Sequence, residues 1–398
     1  MTVSPKRALI IGGGIAGPVL ALFLKRYGFD VQVFEALSGP SGTGGGIGLA
    51  SNGMNVLAAA GVVEQVRDVS VTADDWAFEN QHGKLLACWP ARDPARYGQP
   101  SVMITRAALH RVVVDRAEEQ GIPVHYSKRL VRIDDRPSRP IVAHFEDGST
   151  AEGDFIVGAD GIRSLVRQSV MPEAPKPVYT GMMSPGGFSP CIGDVSYGAR
   201  SNQQTHFIFG QKGFFGYFNV VTSEGPRTCW WSTASAPLDS KERITTKAEL
   251  QQRLLALHGD WAHPIPQLLQ SAEVILNVPI HDVPDLPHWS VNRTVLIGDA
   301  AHAVAPHSGQ GASMALEDAM FLAKLLRESN GTSFEKVFAI FEQQRRPRTD
   351  KVIALGRRYA RQKENMSALA YWVQQQMTRV FVPLESKKQE WLLGYKIE

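Results

Sequence analysis

Residues 8–35 constrain this chain more than any other stretch. Ala8-Leu9-Ile10-Ile11 is a short apolar run, and Gly12, Gly14 and Gly17 follow it as G-x-G-x-x-G. Val19 to Lys25 reads as a helix that Gly28 ends, and Val31 to Phe34 reads as a second strand running into Glu35, 21 residues beyond Gly14. The order is strand, glycine turn, helix, strand, acid. The first glycine permits the tight turn, the second lets a pyrophosphate approach the backbone, and the third lets the helix pack close to the sheet. Free N–H groups at the helix start suit phosphate. Glu35 stands where an acid accepts from an adenosine ribose and disfavours a 2′-phosphate. The stretch predicts a dinucleotide-binding βαβ unit. The competing reading is a glycine turn that serves only helix–sheet packing.

The chain's 398 residues leave room for a large core and a second domain, at 43% hydrophobic and 20% charged residues. A net charge of +3 is too small to point to nucleic acid or an acidic membrane. Cys88, Cys191 and Cys229 are scattered and suggest neither a disulfide framework nor a metal site. The chain enters its first strand almost at once, which leaves no room for a signal peptide, and no apolar run is long enough to span a bilayer. A cytoplasmic enzyme without stable membrane association, monomeric or homodimeric, is expected.

Two further strand ends repeat the theme. Phe155-Ile156-Val157 runs into Gly158-Ala159-Asp160-Gly161, and Thr294-Val295-Leu296-Ile297 runs into Gly298-Asp299-Ala300-Ala301-His302. An acid at a strand's C-terminal end points into the crevice where such sheets bind ligands. Asp160 equally suits a cap on its own helix, and the two roles are compatible. Ala312 to Glu328 reads as a long helix opening at the turn Gly309-Gln310-Gly311, whose backbone could stabilise negative charge on a ring. The glycine-rich passage Gly39 to Gly48 is read as a loop against a flat cofactor, with Gly46 in contact. Helices are expected over Asn55–Ala60, Ala107–Glu119 and Arg243–His258, and a loop over Asp93–Gln99. A hairpin is expected from Arg129–Asp134 and Ile141–Glu146. From Pro172 glycines, serines and aromatics predict an antiparallel sheet in which Phe207, Phe209, Phe215, Tyr217 and Trp230 line a pocket for a flat apolar ligand.

Three glycine/acid clusters are one too many for a plain NAD dehydrogenase. The strings GGGIAG from Gly12, ITRAALHRVV from Ile104, GADGIRSLVR from Gly158 and GDAAHAVAPHSGQGASMALEDA from Gly298 together resemble the group A FAD-dependent aromatic monooxygenases of the p-hydroxybenzoate hydroxylase fold. The C-terminal run Trp391-Leu392-Leu393-Gly394-Tyr395 is similar to salicylate-hydroxylase-like and tetracycline-modifying relatives. The resemblance implies an α/β fold with a discontinuous FAD-binding domain (1–75, 100–175, 279–332), an antiparallel-sheet substrate domain (76–99, 176–278) and a C-terminal helical region (333–398) that bridges them. It implies FAD as cofactor, NADPH or NADH as transient co-substrate, O2, and hydroxylation of an aromatic or heteroaromatic small molecule through a flavin C4a-hydroperoxide. It assigns Gly12, Gly14 and Gly17 to the pyrophosphate, Glu35 to the adenosine ribose, and Arg106 to the ribityl and phosphate region. Asp160 falls to FAD and NAD(P)H handling, Asp299 to the ribityl hydroxyls and pyrophosphate side, Pro306 to the reactive flavin edge, and Gly309 and Gly311 to its N1–C2=O end. His307, between that proline and the glycine turn, is the candidate base.

Two departures stand out. No basic residue follows Glu35 before Arg67, where many members carry an arginine, so a charge contact to the pyrophosphate is missing. Ser313 replaces a common asparagine, with little consequence expected. An FAD-dependent dehydrogenase, an epoxidase or Baeyer–Villiger-type oxygenase, and a flavin-binding protein without turnover are the alternatives. The substrate is expected to be a polyketide, quinolone or other alkaloid phenol rather than a small acid, because Arg200 is the one carboxylate-binding candidate in the second domain.

Overall fold

The computed structural model describes residues 5–40, 44–192, 204–235, 246–303, 308–329, 331–361, 366–386 and 388–397. Its first layer is a six-stranded sheet in the order Ser290–Val291, Thr294–Leu296, Phe155–Gly158, Arg7–Ile11, Asp30–Phe34, Val124–His125. The three strands that precede the glycine/acid turns are adjacent and parallel, with Ile11 level with Gly158 and Gly158 level with Leu296. Parallel pairing in register carries all three strand ends to one edge of the sheet. Gly12, Asp160 and Asp299, nearly 290 residues apart at the extremes, therefore share one crevice. The strands are apolar on both faces because helices cover both. Helix Ala16–Arg26 buries Val19 to Leu24 between the sheet and helix Gly311–Glu328, which returns Leu316, Ala319, Leu322, Ala323 and Leu326 at helical spacing.

The second layer is a seven-stranded sheet in the order Val274–Asp282, Val178–Pro190, Gly225–Ser235, Phe214–Thr222, Gln204–Phe209, Asp75–Asn80, Leu85–Pro90. Its pairing is antiparallel except between Gln204–Phe209 and Asp75–Asn80, which run parallel. The exception has a topological reason: the hairpin of residues 75–90 arrives from the first layer and joins an edge, so no turn fixes its direction. Helices Lys247–His258 and Ile265–Gln270 cover one face of this sheet with an apolar core that includes Ile208, Phe215, Trp230, Leu254 and Trp261. The other face looks towards the first layer. Helix Phe334–Arg361 packs on Gly311–Glu328, and helix Ala368–Ser386 packs on the edge strand Leu85–Pro90.

Three local expectations change. Asp93–Gln99 contains a helical turn, Pro94–Tyr97, because the Asp93 carboxylate accepts the Arg96 N–H and proline occupies the first helical position. Helix Ser51–Ala60 starts four residues before the expected Asn55. Part of the glycine passage is ordered as strand Gly46–Leu49, paired with Val102–Thr105.

Candidate active site

The glycine turn separates two kinds of glycine. Gly12 has φ of +114°, and a Cβ there would lie 2.3 Å from the Ala159 carbonyl oxygen. A Cβ on Gly17 would lie 2.1 Å from the Gly12 carbonyl oxygen. Both are glycine for the protein's own packing. A Cβ on Gly14 meets nothing within 4 Å, so the protein's own packing does not require glycine there. The Glu35 carboxylate accepts the N–H of Gly13 and of Leu37, each at 2.8 Å, which ties the acid to the turn and leaves further lone pairs on both oxygens.

The second strand end delivers Asp160. One carboxylate oxygen caps the following helix by accepting the Leu165 and Val166 N–H groups at 2.7 and 3.0 Å. The other is buried with no partner among the described residues. Burial pushes the carboxyl up, and the Ser164 hydroxyl and the backbone N–H groups offset this only in part. The buried Arg167 guanidinium then joins the second strand end to the third, donating to the carbonyls of Ala300 and Ile162 at 2.8 and 2.6 Å.

Asp299 begins the helical turn Asp299–His302, with its side chain open to the crevice although protein surrounds it. That enclosure raises its pKa, while His302 and Arg106 pull it down. Arg106 stands at the start of helix Arg106–Glu119, exposed to the same crevice. The Gly46 N–H donates to the Cys229 sulfur at 3.3 Å, and a Cβ on Gly46 would come within 2.7 Å of that sulfur. Burial pushes the Cys229 thiol up to about 12. Gly309, at φ +64°, and Gly311 have open space where a Cβ would stand. Pro306, His307 and Arg200 lie outside the described residues. Ser313 is buried away from the crevice, where its hydroxyl accepts the Ala50 N–H at 3.3 Å.

The crevice opens into a cavity of about 1520 Å³ that also reaches the seven-stranded sheet. Its aromatic wall is Trp76, Phe78, Phe207, Phe209, Phe214, Phe218 and Trp231, with Trp89 beside Trp76 at 5.0 Å between ring centroids. Phe207, Phe209 and Trp230 are among the lining residues, although the Trp230 ring stacks on Phe215 and its indole N–H donates to Ser189 at 2.9 Å. Phe215 and Tyr217 are corrected: they sit on the helix-covered face, Phe215 among the core under Lys247–His258 and Tyr217 stacked on His206. Strand alternation is the reason, since Phe214 and Phe218 have the parity that faces the cavity. That period-two signal was present in the sequence. Trp76, Phe78 and Trp89 belong to the 76–99 segment assigned by sequence to this same domain, but they were not among the expected lining residues.

Behind the third strand end lies a saturated ionic cluster that sequence reasoning also missed. The fully buried Asp318 accepts the Gly298 N–H at 2.9 Å, His302 at 2.5 Å and the Arg345 guanidinium at 2.8 Å. Burial alone would raise its carboxyl, yet His302 and Arg345 hold it at about 2. Its neighbour Glu317 takes Arg345 at 2.8 Å, Arg348 at 2.7 Å and the Asn52 amide at 2.7 Å. Arg348 also caps the carbonyls of Trp391 and Leu392, and Tyr395 lies under its guanidinium at 3.8 Å. The cluster fastens the C-terminal segment to the helix that opens at Gly311.

A family model described as an FAD binding domain matches residues 6–355. The chain belongs to the FAD-dependent aromatic monooxygenases. It is 32% identical over 379 residues to an aurachin C monooxygenase/isomerase of Stigmatella aurantiaca, covering 94% of this chain and 93% of that one. It is 31% identical to a 6-hydroxynicotinate 3-monooxygenase of Pseudomonas fluorescens over 88% of this chain and 90% of that one. Klebsiella pneumoniae HpxO, solved with FAD and uric acid, shares the fold at a TM-score of 0.84 and 22% identity, covering 98% of this chain and 97% of the other. The tetracycline destructase Tet(55) shares it at 0.74 and 21%, over the full length of both chains. The monooxygenase uses FAD, and the crevice fits that cofactor: bare glycine backbone at Gly14, Gly309 and Gly311, a partnerless carboxylate oxygen on Asp160, and the opposed charges of Arg106 and Asp299. Among the described residues no helix is long and apolar enough to cross a membrane.

Proposed function

We propose that this monooxygenase hydroxylates a flat, electron-rich and uncharged aromatic or heteroaromatic ring, with electrons from NAD(P)H and one atom of O2. The observation that carries the reading is the continuity of one cavity from the glycine/acid crevice to the aromatic wall. A ring lying against that wall is held within reach of a cofactor in the crevice. Gly12, Gly14 and Gly17 with the N-terminus of helix Ala16–Arg26 would take the FAD pyrophosphate, and Glu35 the adenosine ribose. Asp299 would accept from the ribityl hydroxyls, with Arg106 beside it, and Gly309 and Gly311 would offer N–H groups to the flavin. Bound FAD supplies the activation of dioxygen. The chain's own residues position the ring by aromatic contact and exclude water around it. Pro306 beside the flavin and His307 as a base for a phenolic proton complete the proposal.

An uncharged ring is preferred because Arg106, opposite Asp299, serves the cofactor end. At the outer end of the cavity Arg358 is paired with Glu385 at 3.6 Å. Relatives named for nicotinate and benzoate substrates act on carboxylates. Polyketide, quinolone or other alkaloid phenols suit this wall better. The test is turnover under labelled oxygen gas with mass spectrometry of the product. One labelled atom in the ring product is expected. Label from water, or substrate oxidation with no oxygen gained, overturns the reading in favour of a dehydrogenase.

A further inference from the structure

We propose that the substrate carries a long apolar substituent on its ring, held in an open trough between helix Ala368–Ser386 and strand Val274–Asp282; this rests on the aromatic-hydroxylase reading above. The seven-stranded sheet is the floor of the trough. Helix Ala368–Ser386 lies along one edge of that sheet, on strand Leu85–Pro90, and strand Val274–Asp282 is the opposite edge. The two rims face the same cavity with apolar side chains that water reaches. Val373, Met377 and Phe381, one helical turn apart, are 40%, 48% and 47% exposed. Leu276 and Val278, two apart on the strand, are 41% and 53% exposed. All five line the cavity that contains Phe207 and Trp231. Spacing of four on a helix and two on a strand puts each set on one face. A contiguous apolar surface of this kind marks a site that something covers.

Polarity runs from the floor to the rims. On the floor, the indole N–H groups of Trp76 and Trp89 and the Thr205 hydroxyl are buried without partners among the described residues. On the helix rim the Thr378 hydroxyl donates to the Gln374 carbonyl at 2.9 Å, and Glu385 pairs with Arg358. A ring bearing a carbonyl or phenol oxygen matches the floor, and a hydrocarbon chain matches the rims. Continuity decides the occupant. The rim side chains are walls of the substrate cavity itself, so a chain attached to the bound ring reaches them from within. Leu369, Trp372, Val380 and Leu384 on the same helix are exposed but do not line the cavity, so a second protein or a bilayer would meet that outer face and not the rim.

The test holds the ring constant and varies the chain. FAD-loaded protein is titrated calorimetrically with 4-hydroxyquinolines bearing 2-methyl, 2-pentyl, 2-heptyl and 2-nonyl groups, with NAD(P)H oxidation followed in parallel. Affinity should rise about two- to fourfold per methylene until the trough is filled. Met377→Asp and Val278→Asp should each flatten that slope, and Met377→Gln should do so in part if the aspartate variant does not fold. Equal affinity along the series, or no binding by any member, overturns the proposal. So does a dimer in sedimentation, or flotation with phosphatidylcholine vesicles, that Met377→Asp abolishes. Chain-dependent binding without NAD(P)H oxidation or oxygenated product overturns the hydroxylase reading for this ring and leaves the trough standing.

Discussion

Asp299 and Asp318 belong to the same motif and are both enclosed by protein, but the fold treats them in opposite ways. Asp318 has every lone pair it needs filled by this chain, from Gly298, His302 and Arg345, and its carboxyl is held far below the ordinary range. Asp299 faces the crevice, and enclosure raises its carboxyl instead. Asp160 is intermediate, with one oxygen spent on a helix cap and one left over. The contrast sets an acid with no exposure against one whose side chain is open to the crevice. A carboxylate saturated by its own chain is structure. One that the chain leaves short of donors is kept for a ligand.

Removing a partner from the saturated cluster should have the largest effect. Arg345→Met takes the shared cation from the buried Glu317 and Asp318 carboxylates, leaving Arg348 and Asn52 on the one and His302 and the Gly298 N–H on the other, and the loss in unfolding free energy should be about 3 kcal/mol, read by urea denaturation. A loss below about 1 kcal/mol would mean that the cluster is not the structural half of the comparison. Asp299→Ala should do the reverse. FAD should bind about ten- to a hundredfold more weakly, the worth of one charge-assisted hydrogen bond, with the fold intact by circular dichroism. An unchanged FAD dissociation constant would remove Asp299 from the cofactor site.

The pH dependence sharpens the contrast further, because the two acids shift in opposite senses. Asp318 has a folded pKa near 2, below its unfolded value of about 4, so its contribution is complete above that value and fades as pH falls from about 4 towards 2. The stability gap between wild type and Asp318→Asn should therefore be flat at neutral pH and close over that acid window. Asp299 has a raised folded pKa, so the FAD-free protein loses stability as pH rises from the unfolded value of about 4 to that raised value, and no more above it. FAD-free Asp299→Asn should gain on wild type over that interval and then keep a constant lead, in thermal melts. The smallest effect expected is that of Tyr217→Phe. That ring lies on the helix-covered face, so turnover should be unaltered and stability should change by about 0.5 kcal/mol or less. A large change in KM would put the residue back in the pocket.

How much of this was legible in the sequence depended on the range over which each signal acts. Gly17 and Glu35 are dictated by contacts within one βαβ unit, where local pattern suffices, whereas the close contact at Gly12 comes from Ala159 on the second strand end. The convergence of Asp160 and Asp299 on that turn needed only the inference that apolar strands ending in Gly-Asp lie parallel in one sheet. The aromatic wall was legible in composition but not in orientation. Phe215 and Tyr217 stand on the opposite strand parity to Phe214 and Phe218, and Trp89 lies in the 76–99 segment assigned to the same domain but in a strand whose alternation is loose. The cluster around Asp318 was the least legible, since Glu317, Asp318, Arg345 and Arg348 are ordinary helical charges until tertiary packing removes water from them. Domain limits and the roles of Pro306 and His307 rest on the resemblance.

The pinning of Gly46 by Cys229 has a consequence for durability. An enzyme that handles dioxygen exposes its own sulfur to oxidants whenever turnover is uncoupled from hydroxylation. Cys229 lines that very cavity, yet burial raises its thiol to about 12, so at neutral pH it is almost wholly protonated. The thiolate is the form that oxidants attack, and a protonated thiol is slow to enter the ladder that begins with sulfenic acid. The dry wall that holds the cofactor loop in place also keeps its sulfur chemically quiet, and the monooxygenase gains working lifetime from a contact whose first task is packing.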